Sequence, residues 1–553
     1  MTPTDEQQAI FEYARVGTGH LIVEALAGSG KTSTALECVK YLPQKSVLFT
    51  AFNRRIADEL VERMPQAPRG SVWKAMTFHA MGLKIVSSQK GWPKFEVNAQ
   101  ATEKLVNETI EHQADRVGFT VRRAAVKLLR QVKETTTAKH ALVGPTMALG
   151  HTYDLFAKLS PDEIPQCVRI VQAAYLRGHE QITQRTEIDF VDMVWLPTVL
   201  GLVPPSRYQV VVVDEAQDLS FPQFELIKSL VAPGGRLFAI GDRQQGLYSW
   251  RGAAGDQVWR QLKEMGAQSL PLTTTFRCAQ AIVTEAQKLV PALRARQDAP
   301  EGHVRSLPFV KVPDELKDWS ISTFVLSRNN ADLLHAALML WQEAIEFQLV
   351  AGQEIIQPLV EIVDRLDKST RERFSASLTT WYTVEMKKAE AAHASAWADR
   401  VEQQFAILTI MPGYVEPRKI TAVLRSLLEP KVTAISLSTV HKAKGLEADR
   451  VYLLKQTFAR YQEWRREPPE QEDLNIEYVA VTRARADLIW VDLPNKLDAF
   501  NRVTARRLLE RDPLTEVLDL QTRDDRAKGV AIGALATQTF ERRKAIVGQD
   551  DEP

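Results

Sequence analysis

A glycine-rich segment that ends in lysine and threonine is the first stretch whose residue types could do chemistry. Residues 25–32 read ALAGSGKT, between an apolar run and a stretch of helical character. Gly28 and Gly30 let the backbone turn tightly, so that its N–H groups face phosphate oxygens at the start of a helix. Lys31 would reach the β- and γ-phosphates of a nucleotide, and the Thr32 hydroxyl would ligate Mg²⁺. A turn without a ligand is the alternative, but strand, loop and helix all agree with phosphate binding.

Two adjacent acids follow a second apolar run. Residues 210–217 read VVVVDEAQ, so a buried strand delivers Asp214 and Glu215 to the edge at which open parallel sheets bind ligands. Asp214 would hold Mg²⁺, directly or through its ligands, and Glu215 would orient and deprotonate an attacking water. The acids could instead cap the next helix. Beside the lysine–threonine loop, however, they indicate hydrolysis of a nucleoside triphosphate.

Parallel sheets are needed to position these residues, and two sets of apolar runs predict them. Near-continuous apolar runs with polar or glycine borders are typical of strands covered on both faces. The runs lie at residues 20–25, 46–51, 209–214 and 236–240, and then at 322–326, 433–437, 450–454 and 487–491. The predicted fold class is therefore α/β, with two domains that each carry a mainly helical insert. The predicted ranges are 1–280 (insert about 84–200), 281–500 (insert about 336–430) and a charged, partly disordered tail at 501–553.

The bulk composition limits the class of protein. The chain has 553 residues, 45% hydrophobic and 25% charged, as expected for two or more globular domains. A net charge of +1 excludes a uniformly basic nucleic-acid coat, so any DNA path depends on local Lys and Arg. Three cysteines without a CxxC pair favour a reducing compartment. Because neither a signal-peptide pattern nor a membrane-spanning run is seen, we expect a cytoplasmic protein without a membrane partner.

The order of further motifs resembles the UvrD/Rep/PcrA group of superfamily 1 helicases over most of the chain, from Asp5 to Trp490. TDEQQAI near the start resembles the family's adenine-reading segment. The other matching segments are MTFHAMG at 76–82, VVDEAQDLS at 212–220, IGDRQQGLYSWRGA at 240–253, LTTTFRCAQAI at 272–282, STVHKAKGLEADRVYLL at 438–454 and YVAVTRARADL at 478–488. This resemblance implies two RecA-like P-loop domains with parallel sheets, and ATP with Mg²⁺ in the cleft between them.

Roles within the cleft follow from the resemblance, position by position. Gln245 would sense the γ-phosphate, and Arg277 and Arg483 would supply positive charge from the second domain. An arginine delivered across a cleft couples hydrolysis to closure, although a surface ion pair is the commoner fate of an arginine. The catalytic set would be Lys31, Glu215, Gln245, Arg277 and Arg483. The nucleotide would contact Gln7, Ala27, Gly28, Ser29, Gly30, Lys31, Thr32, Ser33, Phe276 and Glu447, and the metal would contact Thr32 and Asp214.

A track for single-stranded DNA requires aromatic platforms and backbone-binding donors. Tyr248, Trp250 and Arg251 lie together just after Gln245, although the two rings could be core aromatics. The other predicted DNA-binding residues are Asn53, Arg54, Thr77, Phe78, His79, His441 and Lys442. Two departures from the family pattern stand out. Residues 50–56 read TAFNRRI, which displaces an aromatic ring by one position, and QEDLNIE before Tyr478 lacks the usual acidic–arginine run.

The predicted function is that of an Mg²⁺-dependent, DNA-stimulated ATPase and DNA helicase. It would act on single-stranded DNA and single-/double-strand junctions, with 3′→5′ direction by resemblance, in repair, recombination or replication. One alternative is a nucleotide-gated nucleic-acid-binding scaffold without unwinding, and another is an RNA-directed motor. A helicase–nuclease fusion is disfavoured, because no spaced acids with a lysine follow Asp487. Protein partners are not predicted.

Overall fold

A computed structural model describes residues 3–492 of the chain, apart from residues 114–115, 140–142, 154, 157–158, 248–254, 317–321, 392–394, 430, 432 and 459–468. The tail predicted at 501–553 therefore lies outside the described residues. Within them, the α/β prediction with two parallel sheets is confirmed, because each of two six-stranded sheets pairs its strands only in parallel.

The first sheet carries the predicted phosphate loop and acids. Its strands are β1 (Leu21–Ala25), β2 (Ser46–Ala51), β3 (Val72–Thr77), β6 (Tyr208–Val213), β7 (Val231–Gly241) and β8 (Gln268–Leu272). They are ordered β3-β2-β6-β7-β1-β8. Since β1, β6, β7 and β8 run parallel, the segments after their carboxyl ends meet at one edge, as ligand sites in such sheets do.

The second sheet lies in the later part of the chain. Its strands are β11 (His303–Pro308), β12 (Thr323–Ser327), β13 (Gln348–Leu349), β14 (Ile435–Thr439), β15 (Ala448–Leu454) and β16 (Ala484–Asp492). They are ordered β11-β16-β15-β12-β14-β13. Two short parallel pairs join β4 (Glu96–Val97) to β5 (Glu187–Ile188) and β9 (Thr274–Thr275) to β10 (Arg294–Ala295).

Helices cover both sheets and build the inserts. The helices of the first half are α1 (Asp5–Val16), α2 (Lys31–Cys38), α3 (Arg54–Arg63), α4 (Phe78–Ser87), α5 (Ala101–Gln113), α6 (Phe119–Thr135), α7 (Val143–Thr152), α8 (Glu163–Glu180), α9 (Phe190–Val199), α10 (Phe221–Leu230) and α11 (Gly255–Glu264). Those of the second half are α12 (Gln280–Gln287), α13 (Val312–Leu316), α14 (Asn330–Gln342), α15 (Gly352–Val363), α16 (Arg371–Ala391), α17 (Ser395–Tyr414), α18 (Ile420–Ser426), α19 (Val440–Ala443) and α20 (Gln471–Val481).

The predicted insert ranges both start within a helix. The range 84–200 starts inside α4, and 336–430 starts inside α14, which packs on the second sheet. The first insert, largely α5–α9, forms a separate hydrophobic core around Trp195 and Tyr175. Periodicity does not show where a helix stops serving a sheet and starts serving an insert, because both surroundings are apolar. The domain boundary near residue 280 remains a proposal, as do the insert ranges.

Capping explains why several helices start where they do. Thr4 and Gln7 form a reciprocal capping box at α1, and Ser220 and Gln223 form one at α10. Such boxes satisfy two otherwise unpaired backbone N–H groups at a helix start. Among the described residues no helix has the length and apolarity that a membrane span requires.

Candidate active site in the cleft between the two sheets

The phosphate loop connects β1 to α2 in the way the sequence predicts. Gly28 and Gly30 have φ angles of 70° and 78°, which glycine adopts without strain. A Cβ atom on Gly28 would lie 2.4 Å from Thr275 Oγ1 and 2.7 Å from Arg277 Cβ. Glycine at this position therefore serves two purposes, because it permits the left-handed turn and lets the segment after β8 pack directly against the loop.

Thr32 and Asp214 adjoin each other where β6 ends. The Thr32 hydroxyl donates a hydrogen bond to Asp214 Oδ2. Burial raises the pKa of the Asp214 carboxyl to about 6, and the neighbouring Glu215 carboxylate adds to the rise. A hydroxyl beside a carboxylate, together with phosphate oxygens, makes the all-oxygen ligand set that Mg²⁺ prefers. The two residues thus fit the predicted metal site.

Glu215 lies between cations in a strained backbone conformation. Its φ angle is 53°, a left-handed value that is uncommon for a residue with a side chain and is often found at functional sites. Glu215 Oε1 lies 3.9 Å from Lys31 Nζ, and Oε2 accepts a 2.6 Å hydrogen bond from Gln217 Nε2. Burial acts to raise the pKa of Glu215, but Lys31, Lys444 and the Gln217 bond outweigh it and lower the pKa. The carboxylate is therefore ionised, as a base must be.

A turn after β7 brings Gln245 to the cleft. Asp242 accepts hydrogen bonds from Gln244 N at 3.0 Å and from Gln245 Nε2 at 2.6 Å. Gln217 Oε1 in turn accepts a 3.0 Å bond from Asp242 N, which connects this turn to the segment that carries Glu215. The Gln245 side chain is held by fixed neighbours and is 5% exposed.

The two predicted arginines come from different parts of the chain: Arg483 directly precedes β16 of the second sheet, whereas Arg277, which was predicted to come from the second domain, follows β8 of the first sheet. Arg483 is buried and donates to the carbonyls of Val479 and Leu446 at 2.9 Å, with Gln245 Oε1 at 3.5 Å. Burial lowers the pKa of Arg483 to about 10, and the nearby Arg277 adds to this effect. A buried guanidinium bonded to carbonyls does not match the alternative of a surface ion pair.

Arg277 is paired with a carboxylate at the cleft wall. Its Nε forms an ion pair with Glu447, and Nη1 donates to the Thr482 carbonyl at 3.2 Å. Glu447 also accepts a 3.0 Å bond from Arg485 Nε. Burial acts to raise the pKa of Glu447, but Arg485 and Arg277 outweigh it and lower the pKa. Since two arginines already occupy Glu447, its predicted contact with the nucleotide ribose would have to be shared.

The adenine side of the site is formed by α1. Gln7 Oε1 accepts a 3.0 Å bond from Thr4 N, while Nε2 donates to Thr34 Oγ1 at 3.0 Å. Gln7 therefore joins α1 to α2 next to Gly30. The half-buried Phe276 donates its backbone N–H to the Gly28 carbonyl at 2.8 Å. The predicted adenine contacts thus flank the phosphate loop on two sides.

Several residues of the site were not predicted from the sequence. Lys444 Nζ donates to both carboxylate oxygens of Asp218, at 2.7 and 2.6 Å, and to the Gln245 carbonyl at 2.7 Å. The Tyr478 hydroxyl accepts a 3.0 Å bond from the Ala27 backbone N–H. Both contacts join the two parts of the chain. Lys444 lies within the motif at 438–454, so the resemblance offered a signal, but its partner could not be identified from sequence separation.

One continuous cleft of about 1250 Å³ contains these groups and extends towards the first insert. Asn53 accepts from Ile56 N at 2.9 Å and Thr77 accepts from Ala80 N at 3.2 Å, so both cap helices. Arg54 is almost fully exposed. Asn53 lines the cleft, and at the start of α4 the lining residue is His79, two positions after Thr77.

The predicted ring of Phe78 is buried and packs edge-on against Phe52. His79 packs edge-on against the exposed Phe190, with ring centroids 5.6 Å apart, and burial lowers the pKa of His79. Phe52, His79 and Phe190 line the cleft. A base could therefore stack on Phe190, which was not predicted, more readily than on Phe78.

The remaining predicted DNA contacts divide into two groups. Lys442 is exposed and pairs with Glu354 of α15 at 2.9 Å, and the partly buried His441 precedes it in α19. Tyr248, Trp250 and Arg251 lie outside the described residues, so their roles stay predictions.

Two helicase domain families match this chain, one in the part that contains the first sheet and one in the part that contains the later strands of the second sheet. Residues 4–265 match the UvrD/REP helicase N-terminal domain, and residues 416–492 match the UvrD-like helicase C-terminal domain. Identity is 26% over 260 residues to "ATP-dependent DNA helicase Rep" of Buchnera aphidicola and 28% over 272 residues to that of Escherichia coli. It is 24% over 322 residues to "ATP-dependent DNA helicase PcrA" of Staphylococcus aureus.

These alignments cover 43%, 45% and 52% of this chain, and 35%, 37% and 39% of the respective relatives. The chain thus spans little more than a third of the length of the curated relatives that it matches.

Proposed function

The chain belongs to the UvrD/REP helicase family, and we propose that it is an ATP-driven motor that moves along single-stranded DNA and separates duplexes. One observation carries the proposal. The phosphate loop, the acids and Arg277, which follow strands of the first sheet, share a cleft with Lys444 and Arg483 from the part of the chain that forms the second sheet. An ATPase whose site is completed by two domains can convert hydrolysis into relative movement of those domains.

The charge arrangement supports phosphoryl transfer. Little covalent chemistry is required of the protein in this reaction, so catalysis consists mainly of positioning and of stabilising charge. Lys31 supplies positive charge at the phosphate loop, and Arg483 supplies it from across the cleft. Thr32 and Asp214 would hold Mg²⁺, which neutralises charge on the phosphates when bound. Glu215 accepts the proton of the attacking water and stays ionised until then, because the nearby cations lower its pKa.

The DNA track is proposed to run along the edge of the cleft formed by the starts of α3, α4 and α9. Asn53 and Thr77 lie at two of those starts, where backbone N–H groups favour phosphate oxygens. His79 and Phe190 offer an imidazole and an exposed ring in contact with each other. This combination of anion-binding helix starts and a stacking ring suits a single strand read without sequence preference.

The finer parts of the function are proposals of the same kind. We propose a 3′→5′ direction, single-/double-strand junctions as substrates, and a role in repair, recombination or replication, following the family resemblance. The cytoplasm remains the proposed compartment, and burial of Cys38, Cys167 and Cys278 as free thiols agrees with it. The nucleotide-gated scaffold and the RNA-directed motor are outcomes that experiment can distinguish.

Steady-state ATP hydrolysis with and without single-stranded DNA or RNA tests the proposal. Wild-type protein should hydrolyse ATP faster with DNA, and Lys31→Ala should abolish turnover while the melting temperature stays close to that of wild type. Lys45→Ala, an exposed lysine before β2, is the matched control and should retain turnover. Nucleotide binding without hydrolysis would favour the scaffold, and stimulation by RNA alone would favour the RNA-directed motor.

A further inference from the structure

The turn that carries Gln245 is held from across the cleft, and we infer that Asn475 is a positioning residue for this turn. The inference rests on the proposed function. Asn475 Nδ2 donates a 3.1 Å hydrogen bond to the carbonyl of Gly246, directly after Gln245. Asn475 lies on α20 and is 8% exposed, so water competes little for this bond.

The orientation of the Asn475 amide is set by its own neighbour. Asn475 Oδ1 accepts a 2.9 Å bond from Gln471 Nε2, one helical turn earlier. The same Gln471 nitrogen lies 3.2 Å from Gln244 Oε1, on the turn itself. Because Oδ1 faces a donor, Nδ2 faces the Gly246 carbonyl, and α20 contacts two positions of the turn.

Lys444 provides the second contact from across the cleft. Its ammonium donates to the Gln245 carbonyl at 2.7 Å while it pairs with Asp218. The carbonyls of Gln245 and Gly246 are thus both held by side chains from the later part of the chain, and the Gln245 amide is fixed by Asp242 at 2.6 Å. We call Lys444, Gln471 and Asn475 the turn clamp.

The turn clamp makes the position of Gln245 depend on closure of the cleft. When the two domains separate, the bonds to both carbonyls break, and the turn is left with contacts from its own domain alone. The residues directly after the turn are Leu247 and Tyr248, the start of the predicted DNA-contacting segment. The contacts from α20 therefore make the position of Gln245, the proposed γ-phosphate sensor, depend on domain closure. Because the predicted DNA-contacting segment follows the same turn, its position should depend on closure as well.

Asn475 belongs to the segment QEDLNIE, which lacks the family's usual acidic–arginine run. Asn475 supplies a neutral donor to the Gly246 carbonyl, and the adjoining Gln245 carbonyl already binds the ammonium of Lys444. A cation at position 475 would add a second positive charge at the same turn, and the two charges would repel each other. An amide therefore suits this position, because it fixes the turn without adding charge.

Asn475→Asp is the most selective test of the inference. The aspartate keeps the size of the side chain and the acceptor for Gln471, but it replaces the donor to Gly246 with an oxygen and adds a negative charge beside that carbonyl. Asn475→Ala removes both contacts and leaves the turn free of α20 at this position. Asn330→Ala, an exposed asparagine at the start of α14, is the matched control. The measurements are kcat and KM for ATP with saturating single-stranded DNA, and the melting temperature of each variant.

We expect the DNA-stimulated kcat to fall about tenfold in Asn475→Asp and Asn475→Ala, the effect of losing one buried hydrogen bond in the closed state. The KM for ATP should stay within about twofold, because the phosphate loop is unchanged. Asn330→Ala should match wild type. A merely structural asparagine would lower the melting temperature of Asn475→Ala without a selective loss of kcat in Asn475→Asp.

Two results would overturn the inference, at different levels. If wild type shows no DNA-stimulated hydrolysis, the proposed function fails and the inference with it. If wild type is stimulated and Asn475→Asp retains its kcat within about twofold, the inference alone is wrong, since one lost hydrogen bond of this kind should be measurable.

Discussion

Two neighbouring carboxylates in the cleft have opposite pKa shifts. Burial raises the pKa of Asp214 to about 6, and the charge of Glu215 adds to the rise. For Glu215, Lys31 and Lys444 outweigh burial, so that its pKa is lowered. Pairs of titratable groups whose surroundings separate their pKa values mark distinct chemical roles. We therefore assign metal binding to Asp214 and proton acceptance to Glu215.

Glu215→Gln should separate ATP binding from hydrolysis. The amide keeps the shape of the side chain and can still accept the bond from Gln217, but it cannot take a proton from water. We expect turnover to fall by about two to four orders of magnitude while Mg²⁺–ATP still binds. Asp218→Asn is the comparison, because Asp218 is another acid that lines the cleft and is paired with Lys444. If Glu215→Gln keeps its turnover and Asp218→Asn loses it, Asp218 is the base.

Mg²⁺ dependence should change with pH around 6. Since the metal-free carboxyl of Asp214 has a raised pKa of about 6, it holds a proton below that pH and is ionised above it. A proton then competes with the metal, so the Mg²⁺ concentration for half-maximal hydrolysis should rise about tenfold per pH unit below 6. Titrating Mg²⁺ at pH 5, 6, 7 and 8 measures this. A flat requirement across that range would contradict the assignment of Asp214.

The two arginines should differ in their effects, because their surroundings differ. Arg483→Ala removes a buried charge aimed at Gln245 and should lower kcat by about a thousandfold, with a far smaller change in ATP affinity. Arg277→Ala also frees Glu447 and should lower affinity as well. Equilibrium nucleotide binding beside DNA-stimulated turnover measures both. An arginine whose removal leaves turnover intact is not part of the catalytic charge.

At the scale of elements, the turns after parallel strands determine the geometry of the site. The phosphate loop follows β1, the acids follow β6, Gln245 follows β7 and Arg277 follows β8. Gly28 lies where two of these segments touch. Its missing Cβ is what allows the segment after β8 to approach the phosphate loop.

Gly28→Ala should therefore weaken ATP binding by much more than backbone strain alone would. The added Cβ would lie 2.4 Å from Thr275 Oγ1, so the loop or the segment after β8 must shift. Gly70→Ala is a matched control, because Gly70 has a φ of 81° and nothing within 4 Å of its Cβ position. The control should cost about 1–2 kcal/mol of stability and leave ATP affinity intact. Equal ATP affinities in the two variants would show that close packing at Gly28 is unimportant.

Strands were predictable from the sequence because burial on both faces leaves a local signature. The predicted 46–51 strand matches β2, and β6 differs from its prediction by one residue at each end. Strand β7 begins at Val231 rather than at residue 236, because its first part, VAPGG, contains proline and two glycines, which usually mark a turn, and is only partly buried. Strand β3, at an edge of the sheet, was not predicted, since none of its residues is fully buried and it lacks the continuous apolar run by which the other strands were recognised.

Site residues were predictable from the sequence only where they lie in a motif next to a recognisable strand. Lys31 and Glu215 lie next to recognisable strands, whereas Lys444 and Asn475 bind carbonyls 199 and 229 positions away. Nothing in their immediate sequence indicates those partners. Folding brings them together because both sheets direct their cleft-lining loops at one another.

At the scale of the whole molecule, neither half contains a complete site. The part of the chain with the first sheet supplies the phosphate loop, the acids and Gln245, and the later part supplies Arg277's partner Glu447, Lys444 and Arg483. The contact between Ala27 N and the Tyr478 hydroxyl extends this dependence to the phosphate loop itself. The proposed hydrolysis would therefore require closure, and closure would move the surfaces on which DNA is proposed to lie.

Strand separation on tailed DNA duplexes tests the central claim most directly. Duplexes with a 3′ tail, a 5′ tail or no tail are incubated with ATP and Mg²⁺, and displaced strand is measured for wild type and Glu215→Gln. We expect ATP-dependent displacement of the strand from the 3′-tailed duplex by wild type, with none from the blunt duplex and none by Glu215→Gln. Hydrolysis stimulated by single-stranded DNA without displacement from either tailed duplex would contradict the claim.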